Sequence, residues 1–354
     1  MHHTLSLASW NCAIVLIPFF CALASSLSAQ LRIKAVGDVL LGSYTPQMYI
    51  PPNNGRIFAD SIGAYLHGAD ITFGNFEAAF VREGMKPQKC SEASRRKGVC
   101  FEFGVPLTLA PALKHLHFTV MSVDNNHADD YGTEAAQLTL QTLRSYGIEP
   151  APKRGLAELL IRNKRCAVIA FGFSQTSYHI ADIATVQRVV HDAKKHYDRI
   201  IVSFHGGAEG KNATHTKNKT EVFCGENRGN VVRFAHAAID AGADLVLGHG
   251  PHVLRALEIY NDRFIAYSLG NFLTYGNINI KGISGVACIL DVTIDEHSGR
   301  FLSGKVIPVV QMPPGIPTYD HNKQAIHMLN ELIRQDFPHT PLRVDEDGTI
   351  RTAF

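Results

Sequence analysis

The sequence predicts an α/β fold in which two sheets pack face to face with helices outside. Three observations predict it. Through the first two-thirds of the chain, short apolar runs alternate with segments of helical spacing. The last third is mostly strand. With 354 residues, 45% of them hydrophobic, the chain can bury a large core. No internal repeat or linker interrupts the pattern, so one domain is expected over 30–335, followed by a loose tail, 336–354.

The elements follow in order. Leu31 to Val36 alternates and ends in Gly37-Asp38, a strand entering a turn. Ile57 to Leu66 has helical spacing, and Ala69 to Phe73 is a short strand stopping at Gly74-Asn75. Leu107 to Leu116 reads as a helix and Phe118 to Val123 as a buried strand. Thr133 to Tyr146 carries Ala136, Leu140 and Leu143 on one face and ends at Gly147, a C-cap. Cys166 to Phe171 is a strand, Ile183 to His196 a helix, and Ile200 to Phe204 a strand running into His205. Residues 206–227 are polar and aperiodic, a long loop of the kind that borders binding sites. Gly229 to Ala241 is a helix stopped by Gly242, with Glu226-Asn227-Arg228 capping it. Asp244 to Leu247 is a strand. Leu254 to Tyr260, Phe264 to Leu269, Val286 to Ile294 and Phe301 to Val309 have the close spacing of an antiparallel meander. Gln324 to Arg334 is a final helix.

Composition bounds the compartment and the partners. Charged residues make up 19% and the net charge is +2, so nothing points to nucleic acid. The first 30 residues contain no Asp, Glu, Lys or Arg. An apolar run from Cys12 to Leu23 leads into small residues ending at Ala29. This reads as a signal peptide over 1–29, cleaved after Ala24 or Ala29, with an uncleaved anchor as the alternative, and places the protein outside the cytoplasm: periplasmic, extracellular or envelope-associated. Of the seven cysteines, Cys12 and Cys21 fall in that leader. Cys90 and Cys100 bracket a small basic loop and form a plausible disulfide in an exported protein. Cys166 and Cys288 lie in apolar runs and read as buried thiols, and Cys224 has no obvious partner. Lys86 to Lys97 reads as a solvated basic loop.

Five clusters of donor residues end apolar runs: Gly37-Asp38, Asn75-Phe76-Glu77, Asn125-Asn126-His127, His205-Gly206-Gly207 and Gly248-His249-Gly250-Pro251-His252. Loops at the carboxyl ends of strands are where α/β proteins build their sites. Taken singly, each cluster also fits a plain turn. Taken together, they supply carboxylates from Asp38 and Glu77, an amide oxygen from Asn126 and imidazoles from His205, His249 and His252. Such a set suits Zn, Mn or Fe rather than Ca. It holds enough donors for two ions sharing a carboxylate. Glu209 is either an orienting partner or a solvated loop carboxylate, and Asn271 is a turn-former or a pocket residue. Arg255 is an anion-binding residue or a surface ion pair.

In sequence order, Gly37-Asp38-Val39-Leu40-Leu41-Gly42, Asn75-Phe76-Glu77, Asn125 to Gly132, His205 to Glu209, Gly242 to Val253 and Tyr267 to Phe272 resemble the CapA-like capsule-synthesis (poly-γ-glutamate) family. That family looks like a branch of the calcineurin-type metallophosphoesterases, and the resemblance covers residues 31 to 310. It implies a four-layer αββα sandwich of the metallo-dependent phosphatase type. It further implies that Asp38 holds one divalent ion, Glu77 bridges, and Asn126 and His205 hold a second. His249 and His252 complete the site, and His127 steadies or protonates the reacting oxyanion. Asn75, Glu209 and Asn271 would orient the ligands from behind. Two positions depart from the phosphoesterase pattern. Leu40 stands where a His is expected, and two residues rather than one separate His249 from His252. The implied function is capsule biosynthesis or export, as a metal-dependent hydrolase of an anionic small molecule or polymer. The alternatives are a non-catalytic accessory protein of a membrane-bound polymer-synthesis complex, or a metal-dependent isomerase.

Overall fold

A computed structural model describes residues 30–352. The expected signal peptide, with Cys12 and Cys21, lies outside the described residues. Two large sheets carry the fold. In the first, Gln30–Leu40 is central. Its residues 30–35 pair antiparallel with Val286–Asp295, and Ile71–Phe76 runs parallel on the other side, followed by Val120–Ser122 and Glu149–Ala151. In the second, Arg199–His205 and Leu245–His249 are parallel neighbours, flanked by Lys164–Phe171 and by the hairpin Leu257–Tyr260/Arg263–Ala266.

Three apolar clusters define four layers. Ile33, Phe73 and Val120 from the first sheet pack with Val168, Ile201 and Leu247 from the second. The outer face of the first sheet, with Val36, Phe76 and Met121, packs against Phe58, Leu113 and Leu143 of the helical segments. The outer face of the second, with Ile169, Val202 and Val246, packs under Val186, Val190 and Phe234 of the helices Ile183–Lys194 and Val231–Asp240. The expected αββα layering is thus present. The central strands are apolar on both faces because both faces are covered. Each fully buried Val, Leu, Ile or Phe contributes about 1.5–3 kcal/mol.

Several expectations are corrected. The meander does not form. Leu257–Tyr260 and Arg263–Ala266 make a hairpin in the second sheet, while Val286–Asp295 and Phe301–Met312 make one in the first. Between them Asn271–Thr274 joins the first sheet, parallel to the end of Gln30–Leu40. Strand spacing alone could not reveal that the chain changes sheets at Leu269 to Asn271. The tail is not loose: Leu342–Val344 and Thr349–Thr352 form the edge of the first sheet, paired to Phe301–Met312. The helix Gly132–Ser145 buries Ala135, Leu138, Thr139, Thr142 and Leu143, a stripe rotated from the one read in sequence. Thr139 explains part of this, because its hydroxyl accepts from the Phe80 amide and so belongs inside. Asn230, not Glu226-Asn227-Arg228, caps the Val231–Asp240 helix, its side chain accepting from the Arg233 amide. The 206–227 loop holds a short hairpin, Val222–Phe223 with Glu226–Asn227.

Cys90 and Cys100 form a disulfide, with Cα atoms 5.9 Å apart. Cys166 and Cys288 are buried free thiols, pushed by burial up to about 11 and about 12, so both are inert at neutral pH.

Gly37 is where the backbone needs glycine. A Cβ there would lie 1.9 Å from the Gly270 carbonyl oxygen, the same oxygen that accepts from the Asp38 amide at 2.9 Å. Gly37→Ala therefore must part the Gln30–Leu40 strand from the chain entering Asn271–Thr274. The expected cost is about 1–3 kcal/mol, read as a lower Tm. An unchanged Tm would show that this junction yields freely.

Candidate metal centre

Strand register gathers the donors. Asp38 lies opposite Asn75 on one side and Asn271 on the other, and His205 lies opposite His249 across the second sheet. All five are buried. Asn75 donates its amide to Asp38 Oδ1 at 2.9 Å and accepts from Asn125 Nδ2 at 3.0 Å. Asn125 also donates to the Phe76 carbonyl and accepts the His127 amide, at 2.8 and 3.0 Å. This amide chain ties the Gly37-Asp38, Asn75-Phe76-Glu77 and Asn125-Asn126-His127 segments together. Asn125 was visible in the sequence but had no role there; the second asparagine beside Asn126 was its signal.

His252 sits in the turn after Leu245–His249 with φ of 58°, a left-handed conformation rare outside glycine and asparagine. It turns the imidazole back toward the sheets. Its Nδ1 lies 3.0 Å from Asp38 Oδ2 and 2.9 Å from Asn271 Oδ1. Asn271 donates Nδ2 to the carbonyls of Asn279 and Ser284, so its oxygen faces His252. Nδ1 therefore carries the proton, leaving Nε2 toward Glu77 Oε1 at 3.6 Å and Glu209 Oε2 at 3.9 Å. Glu209 is held by Arg228 at 2.7 Å, and the Arg228 guanidinium lies 3.8 Å over the Phe173 ring. Asn271 thus faces the pocket and contacts His252, while Glu209 is a partly buried loop carboxylate paired with Arg228.

Asp38, Glu77 and His252 offer ligand atoms within 4.8 Å of one another. His249 Nδ1 stands 3.6 Å from Asp38 Oδ1 and His205 Nε2 3.7 Å from Glu77 Oε1, both too long for hydrogen bonds. Both Glu77 oxygens, Asn126 Oδ1, His205 Nε2 and both His249 nitrogens are buried without a hydrogen-bond partner. Native interiors rarely leave such atoms unpaired, and each costs about 1–3 kcal/mol or more if charged. The orphaned atoms are carboxylate oxygen, amide oxygen and imidazole nitrogen, the donor set of a transition-metal site. The residues fit a bound cation.

The electrostatics agree. Burial pushes Asp38 up, but the hydrogen bond from His252 and the nearby charge of His252 and His249 outweigh it and hold the carboxyl below its ordinary range. Glu77 has no hydrogen-bond partner; burial and the neighbouring Asp38 charge outweigh His252 and raise it well above normal. Burial lowers His205 well below normal, leaving a neutral imidazole. Burial also opposes charge on His252, yet Glu77, Asp38 and Glu209 raise it well above its ordinary value. A cation would take the place of the His252 Nε2 proton and give Glu77 its missing countercharge.

His127 is tied to this cluster through Asn125. Its Nδ1 lies 2.7 Å from Asp130 Oδ2 and its ring 4.3 Å from Phe103. Burial lowers its pKa, with Asp130 opposing. Leu40 packs in the outer cluster with Phe58 and Ile62 rather than toward the donors. Arg255 corrects both of its sequence readings. It is fully buried, donates to both Glu221 oxygens at 2.8 Å, and donates to the Ala213 and Ala208 carbonyls. It staples the 206–227 loop beside the site. A cavity of about 530 Å³ lies elsewhere, where Lys194, Arg199 and Arg263 are already committed to Asp244.

Comparison with known proteins gives the following. The family described as "Bacterial capsule synthesis protein PGA_cap" matches residues 32–275. The PGA biosynthesis protein CapA of Bacillus subtilis is 29% identical over 266 residues, covering 69% of this chain and 63% of that protein. The capsule biosynthesis protein CapA of Bacillus anthracis is 23% identical over 265 residues, covering 69% and 60%. The matched part of the chain thus spans about three-fifths of these relatives' length. Among solved structures, a phosphatase from Mycoplasma pneumoniae aligns with TM-score 0.48 and 11% identity, covering 84% of this chain and 98% of that one.

Proposed function

Because the chain belongs to the bacterial capsule synthesis protein family PGA_cap, we propose that it is an exported, metal-dependent hydrolase of phosphoesterase type, working in capsule (poly-γ-glutamate) synthesis or export. The observation that carries this reading is the group of orphaned buried donors on Glu77, His205 and His249 gathered around Asp38 and His252, with a further orphaned oxygen on Asn126. Asp38, Glu77, His249 and His252 would hold one divalent ion, and Glu77, Asn126 and His205 a second. When bound, such ions lower the pKa of water and polarise a phosphoryl or carbonyl oxygen.

The chain's own residues do the rest. Asn271 and Asp38 fix the His252 tautomer, which presents Nε2. The Asn75–Asn125 amide chain keeps the two carboxylates and the His127 loop in one register. Asp130 holds His127 by Nδ1, so Nε2 is the nitrogen left to exchange a proton with the reacting oxygen. Glu209, held by Arg228, borders the site beside His252. Export is supported by the leader-like residues 1–29 and by the Cys90–Cys100 disulfide.

Leu40 favours a second reading. With an apolar residue where a ligand is expected, the protein would act as a non-catalytic partner of a membrane-bound polymer-synthesis complex. Metal analysis with turnover of bis(p-nitrophenyl) phosphate separates the two. The hydrolase reading expects one or two equivalents of Zn, Mn or Fe and activity lost in His252→Ala. A metal-free, inert wild type that restores capsule to a deletion strain overturns it in favour of the accessory role. Chelation supplies a further prediction. Ligand binding at about 1,000 times Kd stabilises by about 4 kcal/mol, so stripping the metal should lower Tm by several degrees and reloading should restore it. A Tm indifferent to chelator would mean the orphaned donors are satisfied by water.

A further inference from the structure

Residues 86–97 read in sequence as a solvated basic loop, but Lys89 and Arg95 pair with buried carboxylates. Lys89 Nζ lies 2.5 Å from Asp130 Oδ1, donates to the Asn126 carbonyl at 3.1 Å and stands 3.4 Å from His127 Nδ1. Arg95 donates to both oxygens of Glu102, a buried carboxylate that in turn accepts the Cys90 amide at 2.8 Å. We propose that Lys89 is a positioning residue for the metal centre, bracing Asn126 and His127 together through Asp130, and that the Cys90–Cys100 disulfide holds it there. This rests on the hydrolase reading for its kinetic consequence.

The geometry explains why one side chain does both jobs. Asp130 is fully buried. Its Oδ2 takes the Phe103 amide and His127 Nδ1, both at 2.7 Å, which leaves Oδ1 for Lys89. A buried carboxylate stripped of its cation is costly, so without Lys89 the Asp130 side chain would turn toward solvent and release His127. The second Nζ bond grips the backbone of Asn126, whose side-chain oxygen is one of the orphaned donors. One ammonium thus sets the spacing between a ligand residue and the proton-exchanging imidazole. A lysine loses about 1.5–2 kcal/mol of rotamer entropy when fixed in this way, and the loop carrying it has no helix or strand over residues 83–91. What fixes the loop is local: the Gln88 and Lys89 amides on the Asp130 carbonyl, Cys90 on Glu102, and the disulfide that closes residues 90–100.

The test uses Lys89→Met, Cys90→Ala/Cys100→Ala, the triple variant, and Arg96→Ala on the same loop as control. Amide hydrogen exchange on metal-free protein is the first readout. Lys89→Met and the double cysteine variant should each lose at least tenfold protection at the Phe103 and His127 amides. The triple variant should add little, because the two changes act through one contact, and Arg96→Ala should match wild type. The second readout is kinetic. Lys89→Met should lower kcat for bis(p-nitrophenyl) phosphate by about 10–100-fold, as loss of a ligand-orienting partner does, with KM and bound metal nearly unchanged. Wild-type protection at both amides in Lys89→Met overturns the proposal, as does wild-type kcat in the double cysteine variant. If wild type itself turns over no phosphodiester, the hydrolase reading fails alone, and amide exchange still decides the role of Lys89.

Discussion

Asp38→Asn should leave the protein folded and abolish metal binding at the proposed centre. The change is nearly isosteric, yet no orientation of the new amide works. Oδ1 of Asp38 accepts from Asn75 Nδ2, and Oδ2 faces the protonated Nδ1 of His252. An amide must turn its NH₂ toward one of these donors, placing donor against donor. The lost negative charge also leaves the second sheet's imidazoles without the carboxylate that His249 and His252 share. His252 would lose one of the two acceptors fixing its tautomer, so the damage reaches beyond the missing ligand. Metal affinity should fall by about 100-fold or more, and phosphodiester turnover by on the order of 10²–10³-fold. Metal content after dialysis and kcat/KM check this, with circular dichroism confirming the fold. A variant with full metal and full turnover would remove Asp38 from the centre and leave the geometry without a function.

Arg255→Met should be the most destabilising single change in the second sheet's loops. The guanidinium is fully buried and spends its donors on Glu221, Ala208 and Ala213. Removing it strands the Glu221 carboxylate, which also accepts the Ala208 amide. Breaking one side of a buried pair costs about 3–5 kcal/mol. For a chain of this size that corresponds to a Tm drop of roughly 10 °C. Arg255→Met combined with Glu221→Leu should recover much of the loss, because replacing both partners by apolar groups removes the unpaired charge. Glu209 lies on the same loop, so the single variant should also weaken its hold near His252. A single variant as stable as wild type would show that water reaches Glu221 freely.

The parts of the site that were legible in sequence share one property: they are local. Gly37-Asp38, Asn75-Phe76-Glu77, Asn125-Asn126-His127, His205 and Gly248 to His252 each pair a strand end with donor chemistry, and a strand end is visible from a short window. Arg255 reads as exposed because a lone charged residue within an apolar run has no visible counter-ion until its partner Glu221, 34 positions away, is folded onto it. Lys89 was misread for the same reason: a run of basic residues says nothing of which one meets Asp130. The rotated stripe of Gly132–Ser145 turned on a threonine hydroxyl finding the Phe80 amide.

From the residues alone came the alternation of strand and helix, the covered sheets implied by apolar runs, and the donor types offered at the strand ends. These follow from side-chain periodicity and chemistry, which act over a few residues. Tertiary structure decided which sheet each late strand joins, how His252 turns back on Asp38 and Asn271, which cations are buried, and which donors are left without partners. Those outcomes depend on contacts between distant segments, whose energies exist only once the two sheets have closed on each other and excluded water.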